Sequence, residues 1–329
     1  MDWVPRRAVS LFSMGDVAGE AAALVRCALA ARGWGSVLRF VCFRHRQVVA
    51  AFDRTALPLV EHTVQDGALR RTLHTSLLGT SMKVGLAMWG YASMAKVAFD
   101  PELTVLASSF TRLYDDLIDN CDREHLDEDL AGLFAGEPFR PHGDLEELLL
   151  VLHRAIAARL PHAPDDPIHT VLRELHAFQV RSRAQRSAAV SAGEVLEITR
   201  GKGGLGMVAL LALLRPAMPT AERAVLMEVG DLFQLLDDIH DFTLDRSDGL
   251  TTSATLGLCS LTGLATRITA LRPHFTSCYG TAAPLSAHLA LTLLGAPFAV
   301  RRRRRAPRGR GQRAGPVRLL FSRAGNVRP

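Results

Sequence analysis

Strand patterning is almost absent from this sequence. Period-two alternation of apolar and polar residues is scarce, and turn signals between apolar runs are few, which argues against a β-sandwich or barrel. Cysteine is sparse. Cys27, Cys42, Cys121, Cys259 and Cys278 show no CxxC or paired spacing. That argues against a disulfide framework or a zinc site and suits a reducing cytoplasm. No apolar run is long enough to cross a bilayer, and stretches such as Leu205–Leu214 read as buried helix. No signal peptide is evident in residues 1–47, where arginines and a Gly33-Trp34-Gly35 step interrupt the apolar positions. Lysine is nearly missing as well: Lys83, Lys96 and Lys202 are the only three, and arginine carries the remaining basic charge.

Acidic residues stop at Asp248. Residues 249–329 hold 13 arginines and no Asp or Glu, so the net charge of +6 is not a property of the whole chain. The remaining 248 residues carry 26 basic against 33 acidic side chains, a net of −7. The basic character therefore belongs to the C-terminal end, centred on Arg301–Arg305. Such a tail could bind nucleic acid or an anionic membrane. The reading preferred is a solvated, disordered end or a shifted reading frame, with no nucleic-acid partner. The expected organisation is one domain over 1–298 and a basic tail over 299–329. A hydrophobic content of 48% is enough for a sizeable core.

What is present is helical periodicity. The pattern predicts a helix over 16–32, one or two over 67–97, and one from Pro101 to about Asn120, with proline in its first turn. A short helix and loop follow over 123–143, then a helix over 144–160 and a Pro/Asp turn over 161–167. A long helix is expected over 168–200, with Gly201, Gly203 and Gly204 marking a break. Apolar residues continue over 205–214, and a strongly apolar helix is expected over 220–243. With no internal repeat, one all-α domain is the simplest architecture.

Two segments carry unusual chemistry. Tyr114-Asp115-Asp116-Leu117-Ile118-Asp119 and Leu236-Asp237-Asp238-Ile239-His240-Asp241 both hold Asp-Asp-x-x-Asp near the end of an apolar helix, and Asp245 and Asp248 follow the second. Positions four apart share one helix face, so Asp115 pairs with Asp119 and Asp237 with Asp241, with Asp116 and Asp238 at the edge. Clustered carboxylates repel one another and oppose the helix dipole near a C-terminus. A divalent cation relieves both penalties, and an all-oxygen donor set suits Mg²⁺. The metal candidates are therefore Asp115, Asp116, Asp119, Asp237, Asp238 and Asp241. Asp122, Asp127, Glu128 and Asp129 read as solvated charge. A third segment, Glu197-Ile198-Thr199-Arg200-Gly201-Lys202-Gly203-Gly204, sets a lysine beside glycines, where it acts either as a point charge for a phosphate or as a plain surface residue.

Together these three segments, within about Phe110 to Thr252, resemble the trans-type polyprenyl synthetases and related class I terpene synthases of the isoprenoid synthase superfamily. The resemblance implies an antiparallel all-α bundle around a deep apolar cavity, with three Mg²⁺ ions holding a prenyl diphosphate between the aspartate motifs. It implies Asp115, Asp237 and Lys202 as catalytic residues, with Lys202, Arg112 and Gln234 contacting the diphosphate. A cytoplasmic enzyme, a homodimer in one arrangement, and no transmembrane segment go with it. Departures from the elongating members are specific. The Arg-Arg pair expected after the first motif is replaced by Asn120-Cys121-Asp122-Arg123-Glu124-His125, and Gly67-Ala68-Leu69-Arg70-Arg71 matches the upstream basic segment poorly. One intact diphosphate site favours a terpene cyclase. The alternatives are a chain-elongating prenyltransferase using isopentenyl diphosphate, and an inactive paralogue or regulatory subunit. Phe110 and Thr111, just before the first motif, are either cavity floor or core. Trp89, Tyr91 and Tyr114 are candidate cation-stabilising rings better suited to core packing.

Overall fold

The structure, a computed structural model, describes residues 17–121, 123–160, 167–187, 189–280 and 284–305. Among the described residues every regular element is a helix. In chain order they are α1 (Val17–Ala30), α2 (Trp34–Arg39), α3 (His45–Arg54), α4 (Ala56–Thr63), α5 (Gly67–Ala95), α6 (Pro101–Asn120) and α7 (Leu126–Phe134). Then come α8 (Asp144–Ala157), α9 (Pro167–Arg181), α10 (Ala192–Ala212), α11 (Thr220–Asp248), α12 (Leu261–Ala270), α13 (Arg272–Tyr279) and α14 (Pro284–Arg305). A π-helical turn, Phe40–Arg44, joins α2 to α3, and a 3₁₀ turn, Ser182–Arg186, follows α9.

The two helices that matter most for position start on strong caps. Asp66 accepts hydrogen bonds from the backbone N–H of Ala68 and Leu69 at 2.6 and 2.9 Å, opening the 29-residue α5. Asp100 does the same for Glu102 and Leu103 at 2.9 and 3.0 Å, and Pro101 fills the first helical turn where no N–H is needed. Ser191 caps α10 through the Glu194 N–H. α11 ends at Gly249, whose φ of 74° is left-handed and free of strain only for a residue without a β-carbon.

Two apolar cores result. One is built on α10, α11, α12 and α14 through Val208, Leu226, Leu232, Leu236, Leu264 and Leu289, all nearly fully buried. The other lies among α3, α4, α5, α6 and α8 through Phe52, Leu77, Leu106, Leu113, Leu117 and Leu149. A buried carboxylate ties the first together. Glu222 accepts hydrogen bonds from the hydroxyls of Tyr91 and Tyr279, both at 2.9 Å, and sits 3.2 Å from Arg215.

The glycines at 201, 203 and 204 do not break a helix. α10 runs through all three, and the interruption lies earlier, at the 3₁₀ turn and the chain up to Ser191. Their role is close approach. A β-carbon on Gly203 would overlap the Gly230 carbonyl and lie 2.7 Å from Cβ of Gln234, and one on Gly204 would lie 2.6 Å from Cε of Met227. One on Gly201 would overlap the Phe178 ring of α9. Gly230 faces Gly203 in turn, so α10 and α11 cross with backbone against backbone. α14 carries its helix to Arg305, past the boundary placed at 298. The rest of the basic tail, 306–329, and the Pro/Asp turn at 161–166 lie outside the described residues.

Candidate active site

The first aspartate motif ends α6. Asp116 is buried and accepts a 2.7 Å bond from Arg112 one turn earlier. Asp115 accepts a 2.5 Å bond from the amide of Gln179, a residue of α9 that is itself buried. Desolvation pushes Asp115 up to about 7, with Lys202 and Arg112 pulling it down and Asp119 pushing it further up. Burial likewise lifts Asp116 to about 6, against the pull of Arg112.

The second motif lies in the second half of α11. Asp238 is buried, accepting hydrogen bonds from the Gln234 amide and the Ser253 N–H, both at 3.3 Å. Burial pushes it up to about 7; the Gln234 bond and Lys202 oppose this, and Asp237 adds to it. Asp237 is raised, chiefly by desolvation, with Lys83 pulling down and Asp241 pushing up. Asp245 is pushed up to about 7 by burial and then by Asp238 and Asp241. Solvent reaches the Asp237 side chain, and Asp115 and Asp241 are only half-buried. Carboxylates that water touches yet that protein surrounds on most sides sit in a recess.

The motifs face a common space. Lys202 acts on both Asp115 and Asp238, and Arg112 acts on Asp115, Asp116 and Asp237. Each cation is therefore within electrostatic reach of both helices. Lys202 Nζ donates a long 3.4 Å bond to Ser182 Oγ, and Arg112 has a buried Nε with no hydrogen-bond partner. An unpartnered guanidinium donor between two carboxylate clusters suits an anion.

Among the described residues no three carboxylate, imidazole or thiol groups converge on one point as a ready-made metal cage. The donor chemistry still fits Mg²⁺. Asp115 with Asp119, and Asp237 with Asp241, repel each other at the edge of a recess, and every donor is an oxygen. Mg²⁺ commonly takes one or two carboxylates, keeps water, and completes its shell with phosphate oxygens.

Sequence reasoning missed several participants. Lys83, on α5, is the cation beside Asp237. Arg70 and Arg71, the upstream basic residues singled out from sequence, lie 13 and 12 residues earlier on the same helix, roughly 18–20 Å away along its axis. Arg123 is paired with carboxylates: Nη1 donates to Asp129 at 2.6 Å and Nε lies 3.0 Å from Glu146, while Nη2 is buried without a hydrogen-bond partner. The arginines at the end of the first motif come instead from the 3₁₀ turn. Arg183 donates to the Ile118 carbonyl at 3.1 Å and pairs with Asp127, so Asp127 is no plain solvated charge. Arg186 donates to the Asp119 carbonyl. Nothing local in the sequence marks a contact between positions 65 or more apart.

The aromatic candidates separate clearly. Tyr91 belongs to the Glu222 cluster in the core. Phe110 stacks on Tyr114 with ring centroids 6.0 Å apart and packs on Phe134, in the second core. Tyr114 donates to His176 Nδ1 at 2.6 Å, because Nε2 of that ring faces the Asp127 carbonyl at 2.9 Å and must carry the proton. Trp89 lies under the Arg44 guanidinium, 4.7 Å from its ring. Two open grooves, of about 510 and 490 Å³, are lined by Arg44, Arg46 and Phe99 and by Pro58, His62 and Val151 among others. Neither touches an aspartate of the motifs, so the expected deep apolar cavity is not one of them.

No family model matches the sequence. No curated protein matches it either. Among solved structures, that of a geranyltransferase from Legionella pneumophila is similar, with a TM-score of 0.46 and 18% identity over 77% of this chain and 96% of that one.

Proposed function

We propose that this chain is a class I isoprenoid synthase that ionises one allylic prenyl diphosphate, most in keeping with a terpene cyclase. The observation that carries the reading is the pairing of two partly buried aspartate clusters across Lys202 and Arg112. Lys202 places a compact positive charge where a leaving diphosphate gathers negative charge, and Arg112 offers its free Nε–H. Gln179 orients Asp115 by donating to one oxygen and leaving the other for a cation, while Gln234 and the Ser253 N–H each hold one oxygen of Asp238. Mg²⁺, when bound, supplies the charge neutralisation that lets the C–O bond of the diphosphate ester break.

A chain-elongating prenyltransferase is the second reading, and Lys83 is the observation that favours it, as a fixed cation beyond those serving the first diphosphate. The test is incubation with geranyl, farnesyl and geranylgeranyl diphosphates, with and without labelled isopentenyl diphosphate. Mg²⁺-dependent pyrophosphate release with unlabelled hydrocarbon or alcohol products is expected. Label in a longer prenyl diphosphate would favour elongation, and no release with any substrate would defeat both.

A further inference from the structure

The N-terminal helices have apolar residues on both faces. Inward, Ala23, Cys27, Ala31, Val37, Phe40 and Val48 are buried against the cores. Outward, Val25 and Leu29 stand one turn apart on α1, with Leu29 80% exposed. Leu38, Val41 and Phe43 are exposed on α2 and the π-helical turn, Phe43 at 69%. Large apolar side chains this open to water, clustered within twenty residues, are not needed by the fold.

The charges around them share one sign. Arg26, Arg32, Arg39 and Arg46 are exposed in the same segment, and from Val17 to Gln47 the only acidic residue is Glu20. Just beyond lies the open groove lined by Arg44, Arg46, Arg54 and Phe99. α14 packs against both α1 and α2. It leaves Leu291 and Phe298 exposed two turns apart, Phe298 at 72%, and its sequence then runs into Arg301–Arg305.

No single helix among the described residues is long and apolar enough to cross a membrane. The pair Ala18–Ala30 and Trp34–Thr63 passes only when joined across an 80° bend. A bent pair whose inner face is already committed to the core is shaped to lie on a surface rather than to span it. Basic residues interleaved with exposed Leu, Val and Phe are the composition of an interfacial anchor: rings and branched chains enter the acyl boundary while guanidinium groups meet phosphate headgroups.

We propose that α1, α2, the π-helical turn and the adjoining end of α14 form a docking surface for an anionic phospholipid bilayer. The surface is independent of the aspartate recess. It would hold the protein where amphiphilic diphosphate esters partition.

The test is sedimentation of the full chain with vesicles of phosphatidylcholine alone and of phosphatidylcholine doped with phosphatidylglycerol. Retention on the anionic vesicles is expected, released by raised salt because the headgroup attraction is screened. Leu29→Ser with Phe43→Ser should weaken retention about tenfold, as should Arg39→Gln with Arg46→Gln, without lowering the melting temperature, since all four side chains are exposed. Asp237→Asn should be retained like the wild type, which separates this surface from the proposed reaction. Equal retention on both vesicle types, no retention on either, or unchanged retention by the serine variant would overturn the proposal. So would a solution dimer that the serine pair dissociates while vesicles are ignored, since a second copy would then be the occupant.

Discussion

A carboxylate held among like charges and half removed from water is a poor contributor to stability, so each aspartate of the recess exists at the expense of the fold. Removing one charge should therefore lower turnover without weakening the protein. Asp115→Asn and Asp237→Asn are each expected to slow pyrophosphate release at least about a hundredfold, with a melting temperature no lower than wild type. Near-normal release by either at limiting Mg²⁺ would remove it from the cation site. Lys202→Ala should lose release to a similar degree and Lys202→Arg should recover only part, because a planar fork does not replace a compact ammonium. The opposite kind of residue is His288, buried on α14 with its ring 4.7 Å from that of Phe233 and its Nδ1 unpartnered. Burial lowers it from 6.5 to about 4. Between those values the unfolded chain takes up a proton that the folded one refuses. The contribution is thus intact above about 6.5 and is lost as pH falls toward 4, by on the order of 3 kcal/mol. His153 and His176, also lowered by burial, act with the same sign, while the raised aspartates act with the other. The informative quantity is therefore a difference. His288→Phe should lose less melting temperature than wild type between pH 7 and 4.5, and parallel curves would mean that this ring does not titrate as buried.

At the scale of elements, the legible features were those written locally. Pro101 announces the start of α6, and the predicted end at Asn120 is where the helix stops, because proline and periodicity are both short-range signals. The aspartate spacing likewise placed Asp115 with Asp119, and Asp237 with Asp241, by helix geometry alone. Gly201-Lys202-Gly203-Gly204 misled for the converse reason. Glycine weakens a helix by its own propensity but also permits another backbone to approach, and only the partner distinguishes the two. Here the partner is Gly230, beyond a turn and two prolines, and the crossing of α10 over α11 sets Lys202 beside the second motif. The same blindness hid Gln179 and Lys83, single polar residues whose meaning comes from helices far away in sequence. The crossing makes a sharp prediction. Gly230→Ala puts a methyl into the Gly203 carbonyl and within 2.7 Å of Met207 Cβ, which only a shift of the helices can relieve. It should cost about 1–3 kcal/mol in chemical denaturation and slow turnover together. Gly206→Ala, on the partner helix α10 with no atom within 4 Å of the added carbon, should do neither. If both variants behave alike, close approach is not what these glycines provide.

Across the whole molecule the deciding quantity is where fixed positive charge stands relative to the recess. A second diphosphate beside the first is a repelled anion, and only cations already held in place can offset that repulsion. Arg123 is charge-paired with Asp129 and Glu146, leaving only Nη2 without a partner, Arg183 is engaged by Asp127 and the Ile118 carbonyl, and Arg186 by the Asp119 carbonyl. Each fastens the end of α6 or its neighbours rather than facing an incoming anion. Arg70 and Arg71 stand roughly 18–20 Å along α5 from Lys83, several helical turns from the aspartates. Among the described residues, what remains is Lys202 and Arg112 between the motifs and Lys83 beside Asp237. Three cations suffice for one diphosphate and leave little for two. The expected outcome is that isopentenyl diphosphate neither enters product nor competes with an allylic diphosphate at equal concentration. Lys83→Ala should then slow ionisation of the single substrate, about tenfold for a charge at the edge of the site. Arg70→Ala with Arg71→Ala should leave both kcat and KM unchanged, in keeping with the poor match of this segment to the upstream basic motif. Labelled isopentenyl diphosphate, followed in the wild type and in both variants, separates the possibilities. Incorporation that vanishes in Lys83→Ala while single-substrate ionisation persists would make Lys83 a second-anion residue and the protein an elongase. Incorporation sensitive to Arg70 and Arg71 would require α5 to sit differently against α11 than it does here.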